Sequence, residues 1–200
     1  MQINLTLPLV LPFIFIAVIS VFIFSMTKLG SKKTREIFQR QAEKRGGYVE
    51  EKFYHFSPRL VIPYIDQKII VYSTPGSRNS PPYTHLRYRF SSIRNINLTV
   101  YKEGFFSKLG KTFGMQDIIV DDPEFDEIFI IQGRDEILVR DILSLSVKEK
   151  LLILSRLNMR LKINRSIILL SVPSKLKIDN DLGQFIEAGV AVVQKVTQIG

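Results

Sequence analysis

The first hydrophobic pattern along this chain is an unbroken one. From Ile3 to Thr27 no residue carries a charge, and between Leu5 and Met26 fifteen positions are Leu, Ile, Val or Phe. A helix of about 20 apolar residues spans the hydrocarbon core of a bilayer. At roughly −0.3 to −0.6 kcal/mol for each such residue near the centre, the run favours insertion by several kcal/mol. Pro8 and Pro12 stand near its start, where a first helical turn tolerates them. No Lys or Arg precedes the run and no Ala-x-Ala-like site follows it. It therefore reads as a transmembrane anchor over residues 1–29, not as a cleaved signal.

Beyond the anchor the pattern changes period several times. "SKKTREIFQRQAEKRGG" reads as a juxtamembrane helix within residues 30–47, with Ile37, Phe38 and Ala42 as a narrow apolar stripe and Gly46-Gly47 as its C-cap. "YVEEKFYHF" (48–56), "LVIPYI" (60–65) and "KIIVYST" (68–74) are strand-like, with a turn expected at Asp66-Gln67. Pro63 puts its strand at an edge or a bulge. "PGSRNSPP" (75–82) is a loop by composition.

"YTHLRYRF" (83–90) alternates: Leu86, Tyr88 and Phe90 on one face, His85, Arg87 and Arg89 on the other. "INLTVYKE" (96–103) places Ile96, Leu98 and Val100 inward, and the two runs are expected to pair as antiparallel strands. "DIIV" (117–120) and "EIFIIQ" (127–132) are further strand-like runs. "RDEILVRDILS" (134–144) is helical by spacing, and Ser146 with Glu149 has the spacing of a capping box. "MRLKINRSIILLSVP" (159–173) predicts a hairpin turning near Asn164-Arg165. In the last segment Leu182, Phe185, Ile186, Gly189, Val190, Val193 and Val196 recur at helical spacing, with Asn180 or Asp181 as cap. That stripe needs a sheet or another helix to cover it.

Charge orients the chain. The formal net charge is +9, and all of it falls within residues 28–200. Lys28, Lys32, Lys33 and Arg35, then Arg40, Lys44 and Arg45, follow the apolar run, while only Met1 and Gln2 precede it. Positive-inside places residues 28–200 in the cytoplasm and the N-terminus outside. A basic domain beside an apolar segment points to an anionic membrane surface before nucleic acid, and no nucleic-acid motif is present. Cys is absent, which excludes disulfides, thiolate metal sites and a Cys nucleophile.

Residues 121–136, "DDPEFDEIFIIQGRDE", concentrate acids: Asp121, Asp122, Glu124, Asp126, Glu127, Asp135 and Glu136, with Asp141 just beyond. The segment lacks the central Gly and the spacing of a calcium loop. Asp122-Pro123-Glu124 instead fits a helix start, with Asp as cap, Pro in the first turn and an acid near the positive end. Asp135 and Glu136 fit the same role for the next helix. "GKT" (110–112) lacks the glycine spacing of a phosphate loop. Residues 104–116, with Phe105, Phe106, Phe113, Lys108 and Lys111, form an aromatic-basic loop suited to a membrane surface. His55 and His85, the two histidines, have no marked metal or triad partners. Arg87, Arg89 and Lys102 suggest a basic strand face.

"DDPEFDEIFIIQGRDEILVRDILS" resembles a pattern in uncharacterised bacterial membrane-anchored proteins: an Asp-Pro-Glu-Phe-Asp segment, a strand, a charged turn and a Leu-rich helix. Those proteins are similar more broadly, with a transmembrane start, a helix ending in Gly-Gly, a run of strands, a hairpin and a final helix. The specific part is Asp122–Phe129, and the resemblance carries over no catalytic residues.

The expected fold class is α+β: a single transmembrane helix (1–29), a juxtamembrane helix (30–47) and a cytoplasmic domain (48–200) of antiparallel sheet and packed helices. The expected function is a non-enzymatic interaction or scaffold module at the membrane. Its partners would be the lipid bilayer, its anionic headgroups and a protein. No catalytic, cofactor or metal residues are assigned. Lys28, Lys32, Lys33, Arg35, Arg87 and Arg89 are the candidate membrane-surface contacts. The alternatives are a membrane-associated hydrolase or transferase using the acidic segment, and an anionic-lipid-binding module.

Overall fold

The computed structural model describes residues 14–16, 18–19, 32–51, 57–91, 95–102 and 116–199. The anchor expectation therefore falls largely outside the described residues, as do Lys28, His55 and the loop 104–115. Among the described residues no helix is long and apolar enough to cross a membrane. Ile14, Phe15, Ile16, Val18 and Ile19 are helical, and each is at least 40% exposed.

Among the described residues nine strands build one antiparallel sheet: β1 (Tyr48–Glu50), β2 (Arg59–Tyr64), β3 (Gln67–Thr74), β4 (Tyr83–Arg89), β5 (Leu98–Lys102), β6 (Gln116–Asp117), β7 (Phe129–Gly133), β8 (Arg160–Ile163) and β9 (Ile167–Val172). Their spatial order is β1-β2-β3-β4-β9-β8-β5-β7-β6. The meander β1–β4 forms one half, β5, β7 and β6 the other. The late hairpin β8–β9 joins them, β9 on β4 and β8 on β5.

The expected pairing of 83–90 with 96–103 is thus corrected. β4 and β5 share a sheet but stand two strands apart. Alternation had identified the buried face correctly: Leu86, Tyr88 and Phe90, and Ile96, Leu98 and Val100, are all buried. It carries no information about which neighbour a strand takes.

Among the described residues from 32 onward, five α-helices follow the same logic. Helix α1 covers 32–45 and buries Ile37, Phe38 and Ala42. Gly46 ends it at φ +63°, and the Gly47 N–H donates to the Ala42 carbonyl (2.9 Å), as a glycine C-cap requires. Helices α2 (Pro123–Ile128), α3 (Glu136–Ile142) and α4 (Leu145–Ile153) are short; α5 (Asp179–Gln198) is long. α5 buries Leu182, Phe185, Ile186, Ala188, Gly189, Val192, Val193 and Val196. Gly189 lies tight against the sheet: a Cβ there would stand 2.4 Å from a Leu86 methyl. Leu86 pairs with Val71 and Leu170, both buried, so the core lies between α5 and the middle of the sheet.

Several local expectations shift by a residue or two. The β2–β3 turn is Ile65-Asp66, with Ile65 at φ 49°, not Asp66-Gln67. Pro63 is tolerated because β1 pairs only residues 59–61 of β2, leaving Pro63 with β3 alone. In "DIIV" only Asp117 enters a strand, and Glu127-Ile128 close α2 before β7 begins. The Ser146–Glu149 capping box is not formed. A two-residue link after α3 starts α4 at Leu145, with Ser144 flanking it and Ser146 inside its first turn. Asn180 and Asp181 likewise lie inside α5, whose flanking residue is Ile178. The hairpin turn is as expected: Asn164 Oδ1 accepts from the Ser166 and Ile167 backbone N–H groups at 3.0 and 2.9 Å.

Candidate functional site

The acidic segment resolves into local structure. Asp122 caps α2, its carboxylate accepting from the Phe125 N–H at 3.2 Å, and pairs with Lys148 at 2.6 Å. Those contacts hold its carboxyl below the usual carboxylate range, the Lys148 hydrogen bond first and the Phe125 N–H second. Asp126 reaches back to the Val120 and Asp122 N–H groups, both at 3.1 Å. Asp135 caps α3 through the Leu138 N–H (3.0 Å), and Arg140 pairs with both Glu136 and Asp121. Asp141 pairs with Lys195 of α5. Among the described residues no group of three or more His, Cys, Asp or Glu could hold a metal ion.

The same pairing runs through the helical layer. Asp179 binds Lys44 (2.8 Å) and Gln41 (2.7 Å) of α1, and these contacts, the lysine's first, hold its carboxyl below the ordinary value. Arg45 meets Glu187 at 3.5 Å, and Arg156 meets Asp181 at 2.6 Å. Arg35, a candidate membrane contact, lies 3.4 Å from Glu51, and Lys32 and Lys33 are exposed. A cleft of about 440 Å³ between α5 and β2–β3 has an apolar floor that includes Ile62, Ile69 and Val190, with Arg45, Lys150 and Glu187 at its rim.

The opposite face of the sheet differs. No described helix packs on it. Strand register lines up two rows across it. The first runs Glu50, Arg59, Tyr72, His85, Ser171, Arg160, Tyr101, Ile130. The second runs Tyr48, Val61, Ile70, Arg87, Leu169, Lys162, Thr99, Gln132, Asp117. Arg89 and Lys68 extend the face beyond the second row. Short side chains such as Thr99 and Ser171 are buried among longer neighbours, while Lys68, Arg89 and Lys162 are exposed.

Six cations thus share this face (Arg59, Lys68, Arg87, Arg89, Arg160, Lys162), and its strand acids, Glu50 and Asp117, stand near opposite edges. No ion pair among the described residues holds Lys68, Arg87, Arg89 or Lys162. Arg59 and Arg87 flank the Tyr72 ring at 5.7 and 5.8 Å, a cation–π arrangement that fixes both guanidiniums against the sheet. Lys102, expected beside Arg87 and Arg89, belongs to the other face, opposite Phe129 in the same register set as Leu98 and Val100.

At the middle of the first row His85 Nδ1 lies 2.8 Å from Ser171 Oγ, and His85 Nε2 lies 3.1 Å from Thr74 Oγ1. The imidazole stacks on Tyr83 (5.7 Å, 14°) and packs against Tyr72 (5.0 Å). Burial pushes it below the ordinary histidine value. The trio is not a nucleophile triad. The imidazole is held by a threonine hydroxyl where a triad has a carboxylate, and the mid-strand Ser171 is paired on both sides. Sequence reading missed this row because its members come from residues 50 to 171 on eight strands.

Fold and surface together define an α+β domain with helices on one face of an antiparallel sheet and a basic, tyrosine-bearing opposite face. No family model matches the chain, and no curated protein matches it. Among solved structures, the mycobacterial trehalose monomycolate transport factor A is similar, with a TM-score of 0.59 over 82% of this chain and 94% of that chain at 5% identity. That is a likeness of fold.

Proposed function

We propose that this chain is a membrane-tethered, non-enzymatic domain that lays its basic sheet face against an anionic bilayer surface, as an accessory in lipid transport or assembly at that membrane. The observation that carries this reading is the asymmetry of charge pairing. Arg40, Lys44, Arg45, Arg140, Lys148, Arg156 and Lys195 of the helical layer meet carboxylates, whereas Lys68, Arg87, Arg89 and Lys162 stand on a face that no described helix covers and share in no ion pair among the described residues. Cations clustered near a surface of negative potential contribute about 1 kcal/mol each. The apolar run at residues 3–27 supports tethering, with the domain on the cytoplasmic side. A tether raises the local concentration of membrane and makes a weakly binding face sufficient. The solved neighbour's name, a trehalose monomycolate transport factor, supports a lipid-transport setting. The resemblance of Asp122–Phe129 to membrane-anchored bacterial proteins points the same way.

The absence of cysteine makes the topology directly testable. Gln2→Cys and Lys177→Cys are to be made singly in the full chain and exposed to an impermeant maleimide in intact cells. Labelling at position 2 before lysis, and at 177 only after it, is expected. Labelling of 177 in intact cells would refute the cytoplasmic placement. Release of the chain from membranes by alkaline carbonate would refute the tether.

A further inference from the structure

The structure assigns a second feature to the basic face: we infer that the depression beside His85 is a binding site for a phosphate monoester, presented as the headgroup of an anionic lipid. This rests on the bilayer-docking reading above and makes it specific. The depression holds about 210 Å³ and is lined by Tyr83, His85, Arg160, Lys162, Leu169 and Ser171. Register fixes how the polar groups face it. Ser171 lies between His85 on β4 and Arg160 on β8, and Lys162 stands opposite Leu169 one step along. Two cations therefore border a hydroxyl and an imidazole, and among the described residues no carboxylate lines the depression. Two cations match the dianionic form of a monoester better than the single charge of a phosphodiester.

The hydrogen-bond chain adds a proton switch. A neutral imidazole donates through one nitrogen and accepts through the other, so one of Ser171 and Thr74 must donate its hydroxyl hydrogen into the ring. When the ring is protonated, both nitrogens donate, and both hydroxyl hydrogens turn away from it. The Ser171 hydrogen is then free to donate to an oxyanion in the depression. Tyr72 and Thr74 of β3, Tyr83 and Arg87 of β4 itself, and Arg160 and Lys162 of β8 are the other polar or charged groups described on this side of the ring. Burial opposes protonation while the depression is empty. A dianion beside the ring favours its charged form, so ligand binding and proton uptake by His85 reinforce each other.

The test uses the full chain in lipid nanodiscs, with His55→Gln leaving His85 as the one histidine and its ring followed by NMR through a pH titration. The discs contain phosphatidylcholine alone, or with phosphatidic acid (a monoester) or phosphatidylglycerol (a diester). Phosphatidic acid is expected to raise the His85 pKa by about one unit over phosphatidylcholine, within the range a close opposite charge produces. Phosphatidylglycerol is expected to raise it by much less. Lys162→Gln, at an exposed position, is expected to reduce the shift without disturbing the fold. Equal shifts in the two anionic lipids would overturn the monoester site. A shift with inorganic phosphate but none with phosphatidic acid would overturn the lipid source. An unmoved His85 in discs the domain still approaches would sink this site while leaving the docking reading standing; loss of approach as well would end both.

Discussion

Asp122 separates a structural acid from a chemical one. It caps α2 and, in the same geometry, pairs with Lys148; their side chains are only 20% and 12% exposed. Asp122→Ala removes both contacts. Loss of an N-cap costs about 0.5–2 kcal/mol. Loss of a hydrogen bond to a charged partner costs about 1.5–3 kcal/mol. Together the change is expected to destabilise by about 2–5 kcal/mol, and a chain of this size loses about 2–4 °C of Tm per kcal/mol. Asp122→Asn keeps a capping oxygen and removes only the charge, so it is expected to cost about half as much. Lys148→Met should lose the charge contact alone, and the Asp122→Ala/Lys148→Met double variant should cost less than the sum of the singles.

The same carboxylate sets a pH dependence. Its folded pKa is lowered, so its stabilisation is fully present above the unfolded value of about 3.9 and is lost as pH falls through the lower folded value. The assay is thermal unfolding of the full chain in mild detergent, followed by circular dichroism at pH 7 and at stepwise lower pH. If Asp122→Ala left the midpoint at pH 7 within a degree of the parent, the cap-and-pair account of the acidic segment would be wrong. An activity lost in Asp122→Asn without loss of stability would reopen the enzymatic reading.

Two further changes probe the core. Gly189→Ala gains about 1 kcal/mol of helix propensity but forces a methyl against the fully buried Leu86, at a typical cost of about 1–3 kcal/mol. Net destabilisation is expected, with recovery when Leu86→Val is added; a stabilised single variant in thermal melts would contradict the close approach of α5. Thr84 Oγ1, fully buried, donates to the Ser174 carbonyl (2.7 Å) and accepts from the Leu176 N–H (3.1 Å). Thr84→Val is isosteric but leaves both groups unpaired, and a loss of at least about 2 kcal/mol in denaturant melts is expected; a neutral result would show that both groups find other partners.

Periodicity exposed those features that depend on neighbouring residues. The alternation at 83–90 identified the buried set of β4, the i, i+3, i+4 stripe identified the face of α5, and Asp122-Pro123 announced the start of α2. Each depends on contacts between residues close in the chain or on a single buried face. Strand partnership does not. The hairpin 160–172 enters between β4 and β5 from far along the sequence, and nothing within 83–103 signals that insertion. The basic face was half legible: Arg87 and Arg89 alternate visibly, but Lys162, Arg160, Ser171 and Thr74 join them only through register across β3, β4, β9 and β8. Lys102 was misplaced because local alternation at 96–103 was not carried through to its last residue, which shares the parity of Leu98 and Val100. Cap details at α4 and α5 slipped because several Ser, Asp and Asn residues compete within two positions, and tertiary spacing chooses among them.

The central claim, that the sheet face meets an anionic bilayer, is tested most directly by distance. A single cysteine at Lys68→Cys, in β3 at the exposed end of the face, takes a donor fluorophore in the full chain reconstituted into vesicles that carry acceptor-labelled lipid. Energy transfer is predicted to be higher in vesicles containing phosphatidylglycerol than in neutral ones, to fall with added salt, and to drop to the neutral level in Arg87→Glu with Arg89→Glu, while the circular dichroism melt loses no more than the roughly 0.5–1 kcal/mol of the Arg87–Tyr72 contact. Equal transfer in neutral and anionic vesicles, indifferent to salt and to those two substitutions, would contradict it.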